Sequence, residues 1–191
     1  GLLVITVLLF SYLSLPAALA DFEKGVSAMK QGDYPAAFKE WVESAADGHL
    51  KAQYNLGVLY ENGLGTEKNP VQAAKWYIVS ADGNYAPAQY NLAVLYYYGS
   101  GLPHSKTSAL KWYMEAASQL DELAMYAVGQ MYADGDGVQQ NLTTAYKWLY
   151  LSKKLGHVDA PVALEAISPM LDTGDMEKAV QSAEEWLEAK T

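Results

Sequence analysis

Histidines, acids and tyrosines are the residues of this chain whose types and spacing could do chemistry. His49, His104 and His157 are its only imidazoles. None has the H-E-x-x-H or H-x-x-H spacing that sets two ring nitrogens around a zinc ion, so they read as surface residues of inter-helix connections. Asp134-Gly135-Asp136-Gly137 has the alternating acids and glycines of a calcium loop. The twelfth position counted from Asp134 is Ala145, where a bidentate Glu should close the site, so the match fails and no metal is expected. No Gly-x-Ser-x-Gly elbow, phosphate loop or dinucleotide fingerprint occurs, and the acids scatter over the sequence instead of converging as a pair. The absence of cysteine removes thiol catalysis, disulfides and zinc-thiolate sites together. Asn141-Leu142-Thr143 is a formal glycosylation sequon of a kind that arises by chance. The expectation is a protein that is not an enzyme and holds no cofactor. What remains is fifteen tyrosines, rings that offer large contact area at low entropy cost, which is the chemistry of recognition.

Those tyrosines are carried by a repeat. AQYNLGVLYENGLG at Ala52 returns as AQYNLAVLYYYGSG at Ala88 and as AMYAVGQMYADGDG at Ala124, a period of 36 residues. Such a period marks stacked units, none of which can bury its apolar face alone. Eight positions are identical in all three copies: Ala52/88/124, Tyr54/90/126, Tyr60/96/132, Gly63/99/135, Gly65/101/137, Ala73/109/145, Lys75/111/147 and Trp76/112/148. Ala52, Leu56, Leu59 and Tyr60 follow the spacing of an amphipathic helix. The two glycines stop it, and after a polar stretch Pro70 opens a second helix whose stripe is Ala73, Trp76 and Tyr77. Gly57 and Gly129, with Ala93 between them, allow close helix approach, and each Trp is expected to fill the space between units.

The flanks differ from the repeats. Residues 1–20 read as an export signal, truncated at its start. An apolar run from Leu2 to Leu13 leads to Ala18-Leu19-Ala20, a signal-peptidase pattern, and the first charge is Asp21. The run is short for a membrane span, so no span is expected after cleavage. The formal net charge of −9, with no Arg among the basic residues, makes nucleic acid a poor partner. Residues 21–51 form a first hairpin without the Gly-x-Gly loop, and residues 160–191 form a capping hairpin with an acidic outer face of Glu177, Glu184, Glu185 and Glu188. Between them lie units at 52–87, 88–123 and 124–159.

The pieces A-x-Y-x-L-G-x-L-Y-x-x-G-x-G and A-x-K-W-Y-x-x-A, at Ala52 to Gly65 and Ala73 to Ala81 and again in the next two copies, resemble the Sel1-like repeat, a relative of the tetratricopeptide repeat. The third copy departs late, with Lys153 where Ala81 and Ala117 stand. The resemblance implies an all-α right-handed solenoid of about five helical hairpins, the first of them tetratricopeptide-like. It also implies which positions of each first helix line the concave face: Tyr54, Tyr90 and Tyr126; Val58, Val94 and Gln130; Glu61, Tyr97 and Ala133; Asn62, Tyr98 and Asp134. For Tyr54, Tyr90 and Tyr126, lining the groove and packing between repeats are both open. Tyr97 and Tyr98 lie outside the repeat pattern and are expected to be exposed.

Sel1-like proteins serve as scaffolds in signalling, envelope assembly, host interaction and endoplasmic-reticulum quality control. The function implied here is a non-catalytic adaptor of the bacterial envelope or secreted space that binds a peptide or protein segment in a Tyr-rich groove. The alternative is a glycan- or peptidoglycan-binding module whose exposed tyrosines stack on sugars. An enzyme ranks below both. The protein is expected to be periplasmic or secreted, and monomeric or weakly self-associating.

Overall fold

A computed structural model describes residues 19–190, and among them the chain forms ten α-helices, one 3-10 turn and no strand. The leader read at 1–20 lies outside the described residues except for its last two, which belong to the first helix, α1, described over 19–30. There follow α2 (Tyr34–Ala46), α3 (Leu50–Asn62), α4 (Pro70–Asp82), α5 (Ala86–Tyr98), α6 (Lys106–Ser118), α7 (Glu122–Asp134), α8 (Leu142–Lys154), α9 (Ala160–Ile167) and α10 (Thr173–Glu188), with the 3-10 turn at Ser168–Met170. This is the all-α fold of paired helices that a solenoid requires. No helix among the described residues is long and apolar enough to cross a membrane.

The helix ends follow directly from sequence. Asn69, Ser105 and Asn141 cap the second helices by accepting the backbone N–H three residues on, satisfying donors that have no partner inside the helix. The N–H of the same cap residue reaches back to the carbonyl of Tyr60, Tyr96 or Tyr132 at 2.8–2.9 Å. Each loop is therefore closed onto the helix it leaves. The second glycine of the loop is needed for close approach as well as for its positive φ. A Cβ on Gly65 would sit 2.3 Å from the carbonyl oxygen of Tyr34, and one on Gly137 would sit 2.8 Å from the carbonyl carbon of Lys106. In both cases the loop rests against the start of the preceding hairpin's second helix, which any side chain would push away.

The described residues divide into two compact units, 19–88 with 100–102, and 89–99 with 103–190. In the first unit, α2 and α3 pack together, as do α3 and α4. Phe22, Ala37, Trp41, Ala45, Ala52, Leu56 and Leu59 form one buried cluster. The Trp41 indole N–H donates to the Phe22 carbonyl at 3.2 Å, so the large ring enters the core with its polar tip satisfied. In the second unit, α6 packs on α7, α7 on α8, and α8 on both α9 and α10. Ala133, Ala145, Leu149, Ala163, Leu164 and Ile167 are its buried cluster there.

In α4 and α6 the buried position is the one after the tryptophan, and in α8 that position, Leu149, is buried beside a buried Trp148. Tyr77 and Leu149 are fully buried and Tyr113 is 6% exposed, whereas Trp76 and Trp112 are only half-buried. The expectation that every Trp fills the space between units is corrected accordingly: Trp41 and Trp148 are buried, Trp76 and Trp112 are not. The Lys111 ammonium lies 5.6 Å from the Trp112 ring centroid.

Candidate functional site

Within the second unit, the end of α5, the middle of α6, one face of α7 and the loop after it border an open cavity of about 200 Å3. Tyr97, Tyr98, Tyr113, Tyr126, Ala127, Gln130, Met131, Asp134 and Asp136 line it. Spacing explains which residues of α7 contribute: Tyr126, Gln130 and Asp134 are four apart and share one helix face. On α5, Tyr97 and Tyr98 occupy the last turn before Gly99, whose φ of +70° ends the helix.

Asp136 organises one wall. Its carboxylate accepts a 2.6 Å hydrogen bond from the Tyr97 hydroxyl and a charge-assisted hydrogen bond from the Lys106 ammonium. The hydrogen bond from Lys106, then that from Tyr97, hold the Asp136 carboxyl below its ordinary range. Donation to Asp136, helped by burial, pushes the Tyr97 hydroxyl up to about 12. The Lys106 ammonium also stands 5.5 Å from the Tyr97 ring centroid. Tyr97 is therefore half-buried and latched, which corrects the expectation that it is exposed. Tyr98 is exposed, at 74% of its full surface, and meets the Tyr97 ring edge-on at 5.0 Å.

The opposite wall is built on Tyr126. His157 stacks on its ring at 4.2 Å with the planes only 7° apart, and the Gln130 amide donates to its hydroxyl at 3.1 Å. Tyr113 forms the floor, its hydroxyl raised chiefly by burial. A second, wider groove of about 690 Å3 shares Tyr126, Gln130 and Asp134 with this cavity. It continues over Asp159, Val162, Ala163, Ile167 and Met170. The two hollows adjoin along the three shared residues, the first lined by rings and acids and the second adding the apolar Val162, Ala163, Ile167 and Met170 beside Asp159.

The remaining residues expected to line a groove are placed as follows. Tyr90 and Val94 belong to the same unit but do not line the cavity, and the Tyr90 ring packs 5.4 Å from Tyr113. Ala133 is buried. In the first unit, Tyr54 packs against Tyr77 and Tyr85 at 5.7 and 5.5 Å. Glu61 accepts the Tyr77 hydroxyl at 2.7 Å, and the Asn62 side chain donates back to the Val58 carbonyl. Of the two readings of the repeated tyrosines, packing describes Tyr54 and Tyr90, and Tyr126 does both.

Sequence reasoning missed several residues. Tyr113 was hidden because its repeat position looks like pure core. Asp136 was weighed only as a calcium ligand, although a lone acid flanked by glycines in a tight loop is free to meet a cation from a neighbouring helix. His49 and His157 are more than surface residues. His49 accepts the Ala52 N–H and stacks on Phe22 at 4.3 Å, and His157 Nδ1 accepts the Asp159 N–H. Among the described residues, no group of three or more His, Asp or Glu side chains converges as a metal site would require. The chemistry the cavity offers is ring faces, one amide and carboxylate charge.

The Sel1 repeat model matches residues 50–85, 86–119 and 123–157. A Sel1 repeat protein from Oxalobacter formigenes has a similar structure, with a TM-score of 0.74 and 29% identity over 88% of this chain and 70% of that one. The protein c5321, a protective antigen of uropathogenic Escherichia coli strains with an SLR fold, superimposes with a TM-score of 0.78 at 24% identity, covering 88% of this chain and 38% of that one. In sequence, the rat DAP3-binding cell death enhancer 1 is 42% identical over 55 residues, which are 29% of this chain and 11% of that protein. The match thus spans about a ninth of the curated relative's length.

Proposed function

The chain belongs to the Sel1 repeat family, and on that premise we propose that it is a non-catalytic adaptor that captures a peptide or protein segment in the Tyr-lined cavity of its second unit. Sel1 repeats are protein-interaction modules, and the rat relative is named for binding another protein, DAP3. One observation carries the location: Tyr98 keeps 74% of its surface exposed at the mouth of a cavity walled by three further tyrosines. A large ring left in water beside a ready hollow is the arrangement of an interface anchor. The rest of the wall is already fixed by the Asp136 and Gln130 hydrogen bonds, so closure on a partner orders few side chains.

Export to the bacterial envelope or beyond is part of the same proposal. It is supported by the apolar run and the Ala18-Leu19-Ala20 pattern, and it is checked by fractionating cells and sequencing the N-terminus of the processed protein. An exposed Tyr98 also suits stacking on a sugar face, which keeps the glycan reading as the second one. Immobilised wild-type chain and Tyr98→Ala are incubated with native-host extract and, separately, with purified sacculi. A protein held by the wild type and released by the variant supports the adaptor. Saturable, Tyr98-dependent binding to sacculi transfers the function to glycan, and equal capture by both proteins removes the site.

A further inference from the structure

We infer that the cavity is a receptor for an arginine side chain of the partner segment, with an apolar residue of the same segment lying on the α9 face. This rests on the adaptor reading and specifies its ligand. The ring face of Tyr98, and the face of Tyr126 opposite His157, carry the negative end of the aromatic quadrupole, which attracts a cation. Of the two carboxylates in the lining, Asp136 is spent on Lys106 and Tyr97. Asp134 has no ion-pair partner among the described residues, is exposed, and faces both hollows. No cationic side chain lines either hollow. The net charge of −9 adds a long-range field that draws basic segments toward the chain.

Arginine fits better than lysine for one reason of geometry and one of hydration. A planar guanidinium stacks on a ring while its N–H fork pairs with a carboxylate at the edge, and it sheds water more readily than an ammonium. Lys106 already plays the point-charge role at the Tyr97 ring and at Asp136. The apolar part follows from the lining the two hollows share, Tyr126, Gln130 and Asp134. The second hollow is lined also by Val162 and Met170, each 68% exposed, a surface that water covers poorly and an aliphatic side chain covers well.

The test uses the whole chain, labelled with nitrogen-15, and the capped peptide acetyl-Arg-Leu-Leu-amide. Parallel probes replace Arg by Lys or by uncharged norleucine, or Leu-Leu by Ser-Ser. The expected result is saturable shifts centred on Tyr98, Tyr126 and Gln130. The Arg peptide should bind about tenfold tighter than the norleucine peptide, the size of a desolvated cation–ring contact. Lys should fall between them, Ser-Ser should weaken binding, and Asp134→Asn should erase the preference for Arg. Equal affinity for the Arg and norleucine peptides, shifts mapping elsewhere, or no saturation by the Arg peptide at millimolar concentration overturns the inference. If a Tyr98-dependent protein partner is nonetheless captured, the adaptor reading stands without this ligand. If the peptides bind and no partner is captured, the adaptor reading falls by itself.

Discussion

Replacing Tyr98 by Ala should separate recognition from folding. Folding hides only about a quarter of this residue, since 74% of its surface stays exposed. A fully buried Tyr removes roughly 200 Å2 from water, so about 50 Å2 is at stake here, worth about 1.2 kcal/mol at ~25 cal/mol per Å2. The edge-on contact with Tyr97 adds a few tenths of a kcal/mol at an exposed site, and Ala returns about 0.5 kcal/mol of helix propensity. The net cost is therefore about 1 kcal/mol, or a Tm lower by about 2–4 °C for a chain of this size. Tyr113→Ala, at a position 6% exposed, should cost about 3–5 kcal/mol. Partner binding should respond in the opposite order of economy: loss of a central aromatic anchor costs about 2 kcal/mol or more, roughly thirtyfold in Kd. Urea unfolding and calorimetry measure the first pair of numbers, and titration of the captured partner measures the last. If Tyr98→Ala destabilised as much as Tyr113→Ala, the ring would belong to the core. If stability held and Kd did not move, the cavity would not be the site.

Trp112→Ala should cost clearly less than Tyr113→Ala, about 1–2 kcal/mol, because the half-buried indole leaves a hollow open to solvent; a larger loss in urea unfolding would restore the tryptophan to the core. Gly137→Ala should destabilise by about 2 kcal/mol or more, combining the left-handed backbone penalty at φ +73° with the clash against Lys106, and an unchanged urea midpoint would contradict the close packing of that loop. The Asp136 carboxyl is held low in the folded state, so its contribution to stability is complete above about pH 4 and is lost as pH falls through the folded value. Asp136→Asn should flatten that part of the acid limb in urea midpoints measured across acid pH. The same variant should bring the Tyr97 phenol down from about 12 toward the ordinary tyrosine range in an ultraviolet titration.

The 36-residue period made the helices, the Gly-x-Gly loops and their order legible, because each depends on local rules that the repeat states three times over. The connection between hairpins was harder to see. Gly48, Asn84, Leu120 and Gly156 all have positive φ, yet only two are glycine, so residue type alone did not reveal that one backbone geometry recurs there. The buried serines were hidden in the same way. Ser80 donates to the Leu50 carbonyl and Ser152 to the Glu122 carbonyl, each across 30 residues, and a serine on a helix stripe carries no sign of such a partner. At the site, the positions where copies differ were read as pointing outward to a ligand. Glu61 and Tyr97 instead satisfy internal partners, Tyr77 and Asp136. A polar residue on a first helix can serve its own hairpin or a neighbouring loop, and only three-dimensional placement decides which. Tyr98 and Asp134, by contrast, stand exposed on the lining of the cavity.

The most direct test places a photo-cross-linking phenylalanine analogue at position 98 in the native host, with the same analogue at Lys178, an exposed position on α10, as the control. The adaptor account predicts a discrete protein adduct from position 98, absent from position 178, with the cross-linked peptide of the partner mapping to a single segment. Identical adduct patterns from both positions, or none from position 98, would contradict it.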